Sequence, residues 1–319
     1  MSSPATIDLA EYPYVRLASG EYSVEVFTYG GGLRVCEYGG KPLIESYPRG
    51  HVPPLSSNAI LAPWTNRTED GAFDFAGQSH QLDINEPART NAIHGFVRSE
   101  RWDIRESTDD HAVLECAITP RNGWPWKLTL TVDYLLTPQG LRVTYEVTNV
   151  GDDAAPFALG VHTYPTLFGA PVDDCVVSVP VDMKLELDPT RLLPTGEETK
   201  LATIPVLADL PEGLALAGVL LDDCFHASDK GDDDRVTVLR HRDEGVEKRR
   251  VVMSTSANLP WFQIFTADPA AGHGYPGRGR ALAVEPMSAP PNALRSGRDV
   301  VVLQPGEKTQ FHWGIKIEE

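Results

Sequence analysis

The chain has 319 residues, with 28 Lys and Arg against 45 Asp and Glu, 26 Pro, 27 Gly and 4 Cys. Hydrophobic residues at 41% and charged residues at 23% describe a globular chain and exclude a disordered or fibrous one. The formal charge of −17 disfavours nucleic acid, because phosphate neutralisation needs a basic face and the densest basic stretch, Lys248-Arg249-Arg250, is too short to supply one. Nor does any apolar run approach the ~20 residues of a membrane span; the best, Gly213 to Leu221, has nine.

From the N-terminus, MSSPATIDLAEYPYV has no basic region leading into an apolar stretch, which argues against a signal peptide. Period-two alternation then marks strands at Tyr22 to Thr28, Ala112 to Thr119, Lys127 to Leu135, Leu141 to Asn149 and Val236 to Arg240. Such alternation favours antiparallel sheets with one packed and one wetter face. The continuous apolar run Val300 to Leu303 predicts a more buried strand ending in a Gln-Pro-Gly turn, and Phe311 to Ile317 predicts a final strand. Helical windows are nearly absent, since the prolines leave little uninterrupted sequence for them. The stretches His226 to Asp234 and Ala267 to Arg280 read as surface loops within one unit. No repeat of propeller or solenoid length is evident. The length alone would suggest two domains, yet all-β domains often run to about 250 residues or more. The expectation is one all-β domain over residues 1–319, built as a large antiparallel β-sandwich or open barrel. Cys36, Cys116, Cys175 and Cys224 are widely spaced and form no CxxC pair, which points to free thiols in the cytosol rather than to zinc or disulfides.

Four segments place chemically capable side chains among Gly, Pro and aromatic residues. They are Leu61 to Gly77, with Trp64, Asn66 and Arg67; Asn91 to Arg98, with His94 before a glycine; Gly160 to Gly169, with His162; and Val284 to Leu294, where Glu285 is expected to end the strand ALAV and a Pro-rich loop to begin. Each has an ordinary reading when taken singly. A lone His is usually structural, an Arg a surface ion-pair partner, and a Glu before Pro a turn residue.

Together the segments carry a family resemblance. NRTEDGAFDFAGQSHQLDINEPARTNAIHG resembles the aldose 1-epimerase (galactose mutarotase) pattern of an Asn-Arg pair, a Gly-x-Phe turn and a His-Gly step. GVHTYPTL resembles that family's second-histidine segment and VEPMSAPPNAL its glutamate segment. In LDDCFHA, Asp222 matches a sugar-binding aspartate. The segments follow the family's order, with 68 residues from His94 to His162 and 123 from His162 to Glu285. The resemblance runs from about residue 20 to the C-terminus and implies the mutarotase supersandwich. It departs at Thr68, where the family commonly has Ile or Val, and at Pro165 and Thr166, where it usually has Phe and Asn. HGFVR in place of His-Gly-Gly is closer to the branch with hexose-6-phosphate mutarotases and to a bacterial branch that includes sulfoquinovose mutarotase-like proteins.

The implied reaction is interconversion of the anomers of a free hexose by ring opening at the C1–O5 bond, with Glu285 as base and His162 as imidazolium acid. His94 would hold charge on the developing oxygen. Arg67 and Asn66 would orient oxygens, Asp222 would accept from sugar hydroxyls, and Trp64 and Trp261 would form an apolar platform or belong to the core. Activity near neutrality would then require the His162 pKa to be raised by Glu285 and Asp222. No cofactor or metal is called for, and the histidines form no HxH or HExxH cluster. The expected partner is a small-molecule sugar, with the chain a monomer or homodimer. The rival readings are a hexose-6-phosphate mutarotase using Arg98, a sulfoquinovose mutarotase, a non-catalytic sugar-binding β-domain, and a cupin-like metal enzyme.

Overall fold

The computed structural model describes residues 8–229 and 234–319. The first seven residues of the N-terminal stretch read for a leader, and residues 230–233 of the expected loop after His226, lie outside the described residues. Alternating apolar residues become strands where they were expected: Tyr22–Phe27, His111–Ile118, Leu128–Thr137, Gly140–Asn149, Arg235–His241 and Lys308–Glu318. Every paired set of strands runs antiparallel, as short hairpin connections and one-sided burial favour. Helix among the described residues is confined to Ala293–Ser296 and seven short 3-10 turns.

Two large sheets make an antiparallel β-sandwich. The nine-stranded sheet runs in the spatial order Asp103–Ser107, His111–Ile118, Leu128–Thr137, Gly140–Asn149, Lys308–Glu318, Arg250–Thr255, Arg235–His241, Cys175–Ser178, Leu214–Ala215. The seven-stranded sheet runs Pro194–Lys200, Met183–Leu187, Asp222–His226, Trp261–Ala267, Ala281–Met287, Gly160–Val161, Ile60–Leu61. Leu130, Val132, Val143, Tyr145, Phe311 and Trp313 of the first sheet share one core cluster with Phe225, Phe262, Ile264 and Val284 of the second. Because successive side chains point to opposite faces of a strand, the intervening Gln263, Phe265 and Glu285 turn away from that core. Both faces of these central strands are nevertheless covered, and Ala281–Met287 is buried along its whole length. A largely buried polar face is therefore built into the second sheet.

One expectation fails. Val301–Leu303 is not a buried central strand; it pairs only with Ala155–Phe157, and Val302 is 45% exposed. In a two-stranded sheet the alternate residue faces solvent, whatever its hydropathy. Glu285 likewise lies inside its strand, not at its end.

A small ribbon, Arg67–Glu69 paired with Asn91–Ile93, packs beside the second sheet and leads directly into His94-Gly95. Gly95 has φ +65°, and a Cβ there would meet the Ala62 carbonyl oxygen at 1.9 Å. That carbonyl accepts from the backbone N–H groups of Phe96 and Val97, so it cannot withdraw freely. Gly95→Ala is expected to destabilise the protein by at least about 2 kcal/mol, through backbone strain and the clash. Denaturant unfolding checks this, and a wild-type midpoint would show that the ribbon can relax around a side chain.

Candidate active site

Four adjacent positions on the second sheet deliver polar groups to one place. Gln263 is the register partner of Glu285 on one side and of Cys224 on the other, while Asp222 pairs with Phe265. His162 follows the strand Gly160–Val161 immediately, its backbone fixed by an N–H to the Ala59 carbonyl and by the Asn58 N–H to its own carbonyl. From the ribbon come Asn66, Arg67 and His94, with Asn66 and His94 in the left-handed region at φ 47° and 66°. The His94 N–H donates to the Asn66 carbonyl, which ties the two turns together. These groups, with Leu55, Ser56 and Phe265, line a cavity of about 200 Å³. A larger depression of about 670 Å³ by Arg16, Glu25 and Arg34 is lined by charges that pair with one another and brings no His near a carboxylate.

His162 Nε2 stands 3.3 Å from Glu285 Oε1, with the two side chains 8% and 2% exposed. The His94 ring meets the His162 ring edge to face at 5.5 Å, and Tyr164 stacks on His162 from another side at 5.3 Å. Glu285 Oε2, His162 Nδ1 and His94 Nδ1 are buried without a protein hydrogen-bond partner. Buried polar atoms are nearly always partnered, so three orphans around one cavity mark a place for a polar ligand.

Arg67 is held from behind. Its Nε donates to Glu86 Oε2 at 2.9 Å and its Nη2 to Glu86 Oε1 at 3.0 Å, a bidentate fork. Asp222 Oδ1 accepts from Gln263 Nε2 at 2.8 Å, and Gln263 Oε1 accepts from Asn66 Nδ2 at 3.4 Å. The amide chain thus links the ribbon to the sheet.

Burial governs the charges. It pushes the His162 imidazole down to about 3, with Arg98 and Arg67 adding to the effect. His94 is also pushed down by burial, by His162 and by the same two arginines. Burial pushes the Glu285 carboxyl well up, as does the nearby Asp222, against the pull of Arg67. Asp222 is raised by burial despite Arg67 and Gln263. The expectation of a raised His162 is therefore reversed. Its carboxylate neighbour would favour the imidazolium, but the loss of water around both groups outweighs that attraction. Burial thus disfavours charge on both members of the pair, the imidazolium of His162 and the carboxylate of Glu285.

Glu285, His162, His94, Arg67, Asn66 and Asp222 are brought together as the sequence suggested, and Trp64 and Trp261 are not. Trp64 is a core residue, edge to face with Phe96 at 4.8 Å. Trp261 packs with Leu185, Cys224 and Met287, donates from Nε1 to Asp299, and is covered by the Arg298 guanidinium at 4.5 Å. The apolar wall is Leu55 and Phe265 instead. Gln263, Phe265, Leu55 and Glu86 were missed. A single amide inside the apolar strand WFQIFTA was a signal for Gln263, whereas nothing local marks Glu86. Arg98 does not line the cavity, although its charge acts on both imidazoles. All four cysteines are free and buried. Among the described residues no group of three or more His, Cys, Asp and Glu could hold a metal ion, and no helix is long and apolar enough to cross a membrane.

The family model described as aldose 1-epimerase matches residues 13–316. The chain is 28% identical over 306 residues to the uncharacterized protein YihR of Escherichia coli K12, covering 94% of this chain and 92% of that protein. A galactose mutarotase-like protein from Clostridium acetobutylicum superposes with a TM-score of 0.82 at 21% identity, covering 98% of this chain and 97% of the other. The galactose 1-epimerase of Lactobacillus acidophilus does so with a TM-score of 0.75 at 20% identity, covering 97% and 98%.

The charge state of the pocket can be read without any ligand. In a histidine-edited NMR titration, the rings of His94 and His162 are expected to show no protonation step between about pH 5 and 8. His111, where Asp133 and Glu106 outweigh burial, is expected to titrate above its usual value. His162→Asn and His94→Asn assign the signals. A step for His162 near its ordinary value of about 6.5 would overturn the neutral assignment.

Proposed function

The chain belongs to the aldose 1-epimerase family, and we propose that it interconverts the α and β anomers of a free, uncharged hexose by ring opening and reclosure. The observation that carries this reading is the buried His162–Glu285 pair at 3.3 Å, flanked by orphaned polar atoms at the cavity. Mutarotation needs a base for the C1 hydroxyl proton and an acid for O5, followed by the reverse after rotation about C1–C2.

A carboxylate Glu285 and an imidazolium His162 contain the same number of protons as a carboxyl Glu285 and a neutral imidazole. When Glu285 takes the C1 hydroxyl proton and His162 gives its own to O5, the C1–O5 bond breaks and the charged pair becomes the neutral one. Reclosure runs the transfer backwards on either face of the aldehyde. The two proton arrangements are therefore the two ends of one step, and no proton is exchanged with solvent. Burial raises the energy of the charged arrangement, which offsets part of the uphill cost of opening the ring. Sugar hydroxyls supply donors to Glu285 Oε2 and so support the carboxylate in the closed-ring complex. Arg67 and His94 face the sugar oxygens, Asp222 accepts from hydroxyls, and Leu55 and Phe265 cover the apolar face of the ring.

An uncharged substrate follows from the lining. Arg67 is the one cation among the described lining residues, and Glu86 already engages it. A phosphate or sulfonate would meet the repulsion of Asp222 at close range, while the His162–Glu285 pair, net neutral in either proton arrangement, offers it no compensating charge. Arg98, the candidate phosphate contact, is not among the lining residues.

Saturation-transfer NMR of anomer exchange tests the reading with glucose, galactose, glucose 6-phosphate and sulfoquinovose. Acceleration is expected for the free hexoses, with kcat/KM for the anionic sugars lower by at least about tenfold. Binding without rate enhancement would support a sugar-binding domain instead, and faster turnover of an anionic sugar would refute the substrate class. Glu285→Gln and His162→Asn are each expected to lower kcat by at least ~10² while leaving the fold intact.

The pH dependence follows from the single shared proton. Acid inactivates by adding a second proton at His162, which burial places at about 3, far below an ordinary imidazole. Base inactivates by removing the only proton from Glu285, which is raised. The kcat/KM profile is thus expected to be a broad plateau across neutrality. A limb near about 6.5 that vanishes in His162→Asn would restore an ordinary histidine acid and refute the buried-pair account.

A further inference from the structure

Behind Arg67 stands a carboxylate with every oxygen engaged. Glu86 receives Nε and Nη2 of Arg67, Nη1 of Arg89 at 3.1 Å on Oε1, and Nδ2 of Asn91 at 3.0 Å on Oε2. Its backbone is clamped as well: the Glu86 N–H donates to the Asn91 carbonyl, and the Asn91 N–H returns to the Glu86 carbonyl. The turn between them, Pro87–Arg89, closes on Thr90 in the left-handed region at φ 55°. Asn91 is fully buried and is the register partner of Glu69, two residues from Arg67 on the paired strand. Glu86 is therefore fixed to the very ribbon that carries Arg67.

A guanidinium has five N–H donors in one plane. Glu86 takes the Nε–H and one Nη2–H, and Asn66 Oδ1 lies 3.4 Å from Nη1. The remaining donors on Nη1 and Nη2 are thereby left for a ligand in one orientation. The carboxylate also offsets the Arg67 charge beside His162 and Glu285.

We propose that Glu86 is a positioning residue for the sugar reaction, which fixes the Arg67 fork toward the substrate and sets how much of its charge reaches the His162–Glu285 pair. The proposal rests on the mutarotase reading above. It assigns Glu86 no contact with the sugar.

The test compares wild type, Glu86→Gln, Glu86→Asp, Arg67→Lys and the double variant Glu86→Gln/Arg67→Lys, with folding checked by circular dichroism. Equilibrium binding of the anomeric glucose or galactose mixture is measured by calorimetry, and anomer exchange by saturation-transfer NMR across pH. Glu86→Gln is expected to weaken binding and raise KM by at least about tenfold, with a smaller change in kcat. Glu86→Asp is expected to fall between it and wild type. The alkaline limb of Glu86→Gln is expected at lower pH, because an uncompensated Arg67 favours the Glu285 carboxylate. Once Arg67 is Lys, removing the Glu86 charge is expected to add little. Wild-type binding and turnover in Glu86→Gln would overturn the proposal. So would a loss that adds fully to that of Arg67→Lys with an unmoved limb, since that is the pattern of a structural residue. If Glu86→Gln does not fold, Glu86→Asp decides by the same KM and pH readouts. Wild-type protein that binds sugar without accelerating exchange would sink the mutarotase reading, and the binding arm would still decide whether Glu86 orients Arg67.

Discussion

The burial of His162 against Glu285 on the polar face of the second sheet is the constraint on which the rest of the cavity depends. Two ionisable groups at 3.3 Å and almost fully buried cannot both follow their solution behaviour. Desolvation disfavours charge on each, pushing His162 down and Glu285 up. The surrounding charges are balanced in the same spirit. Arg67 is answered by Glu86, and Asp222 by the amide of Gln263. A net charge of −17 on the chain therefore says little about the field inside the cavity.

The sandwich makes such a pocket possible because the central strands of its second sheet, Trp261–Ala267 and Ala281–Met287, are buried on both faces. Phe262, Ile264 and Val284 supply the inner face and anchor the strands against the nine-stranded sheet. Gln263, Phe265 and Glu285, one residue out of step, supply the other. A one-residue slip of Ala281–Met287 would put Glu285 into the hydrophobic core, and one of Trp261–Ala267 would do the same to Gln263. The packed core thus fixes Glu285 against His162, and the ribbon carrying Arg67 and His94 needs only to dock against the sheet. The tight passage at Gly95 serves that docking, since a side chain there would hold the ribbon away from Ala62.

Where sequence reading went astray, the cause was tertiary. Trp64 and Trp261 are large aromatics next to functional residues in sequence, yet Trp64 turns into the core and Trp261 is sealed under Arg298. The expected rise of the His162 pKa considered attraction between neighbours and left out burial, which no local sequence window reports. Val301–Leu303 was read as buried because its residues are apolar, but it pairs on one side only. Glu86 contributes nothing to any motif, because its contact with Arg67 spans 19 residues and exists only after the ribbon pairs.

The sequence by itself determined the class of fold and, through the family resemblance, named most of the polar groups that line the cavity. Period-two alternation dictated antiparallel strands, the prolines excluded long helices, and the motifs around Asn66, Arg67, His94, His162, Asp222 and Glu285, through their resemblance to one family, singled out the groups that meet at the cavity. These are local properties, carried by residue type and spacing. Only the tertiary structure decided which strand face looks into the cavity, which apolar residues wall it, which carboxylate stands behind Arg67, and which way burial moves the pKa values of His162 and Glu285. The physical reason is that desolvation, cross-strand register and bidentate geometry belong to groups brought together from distant parts of the chain.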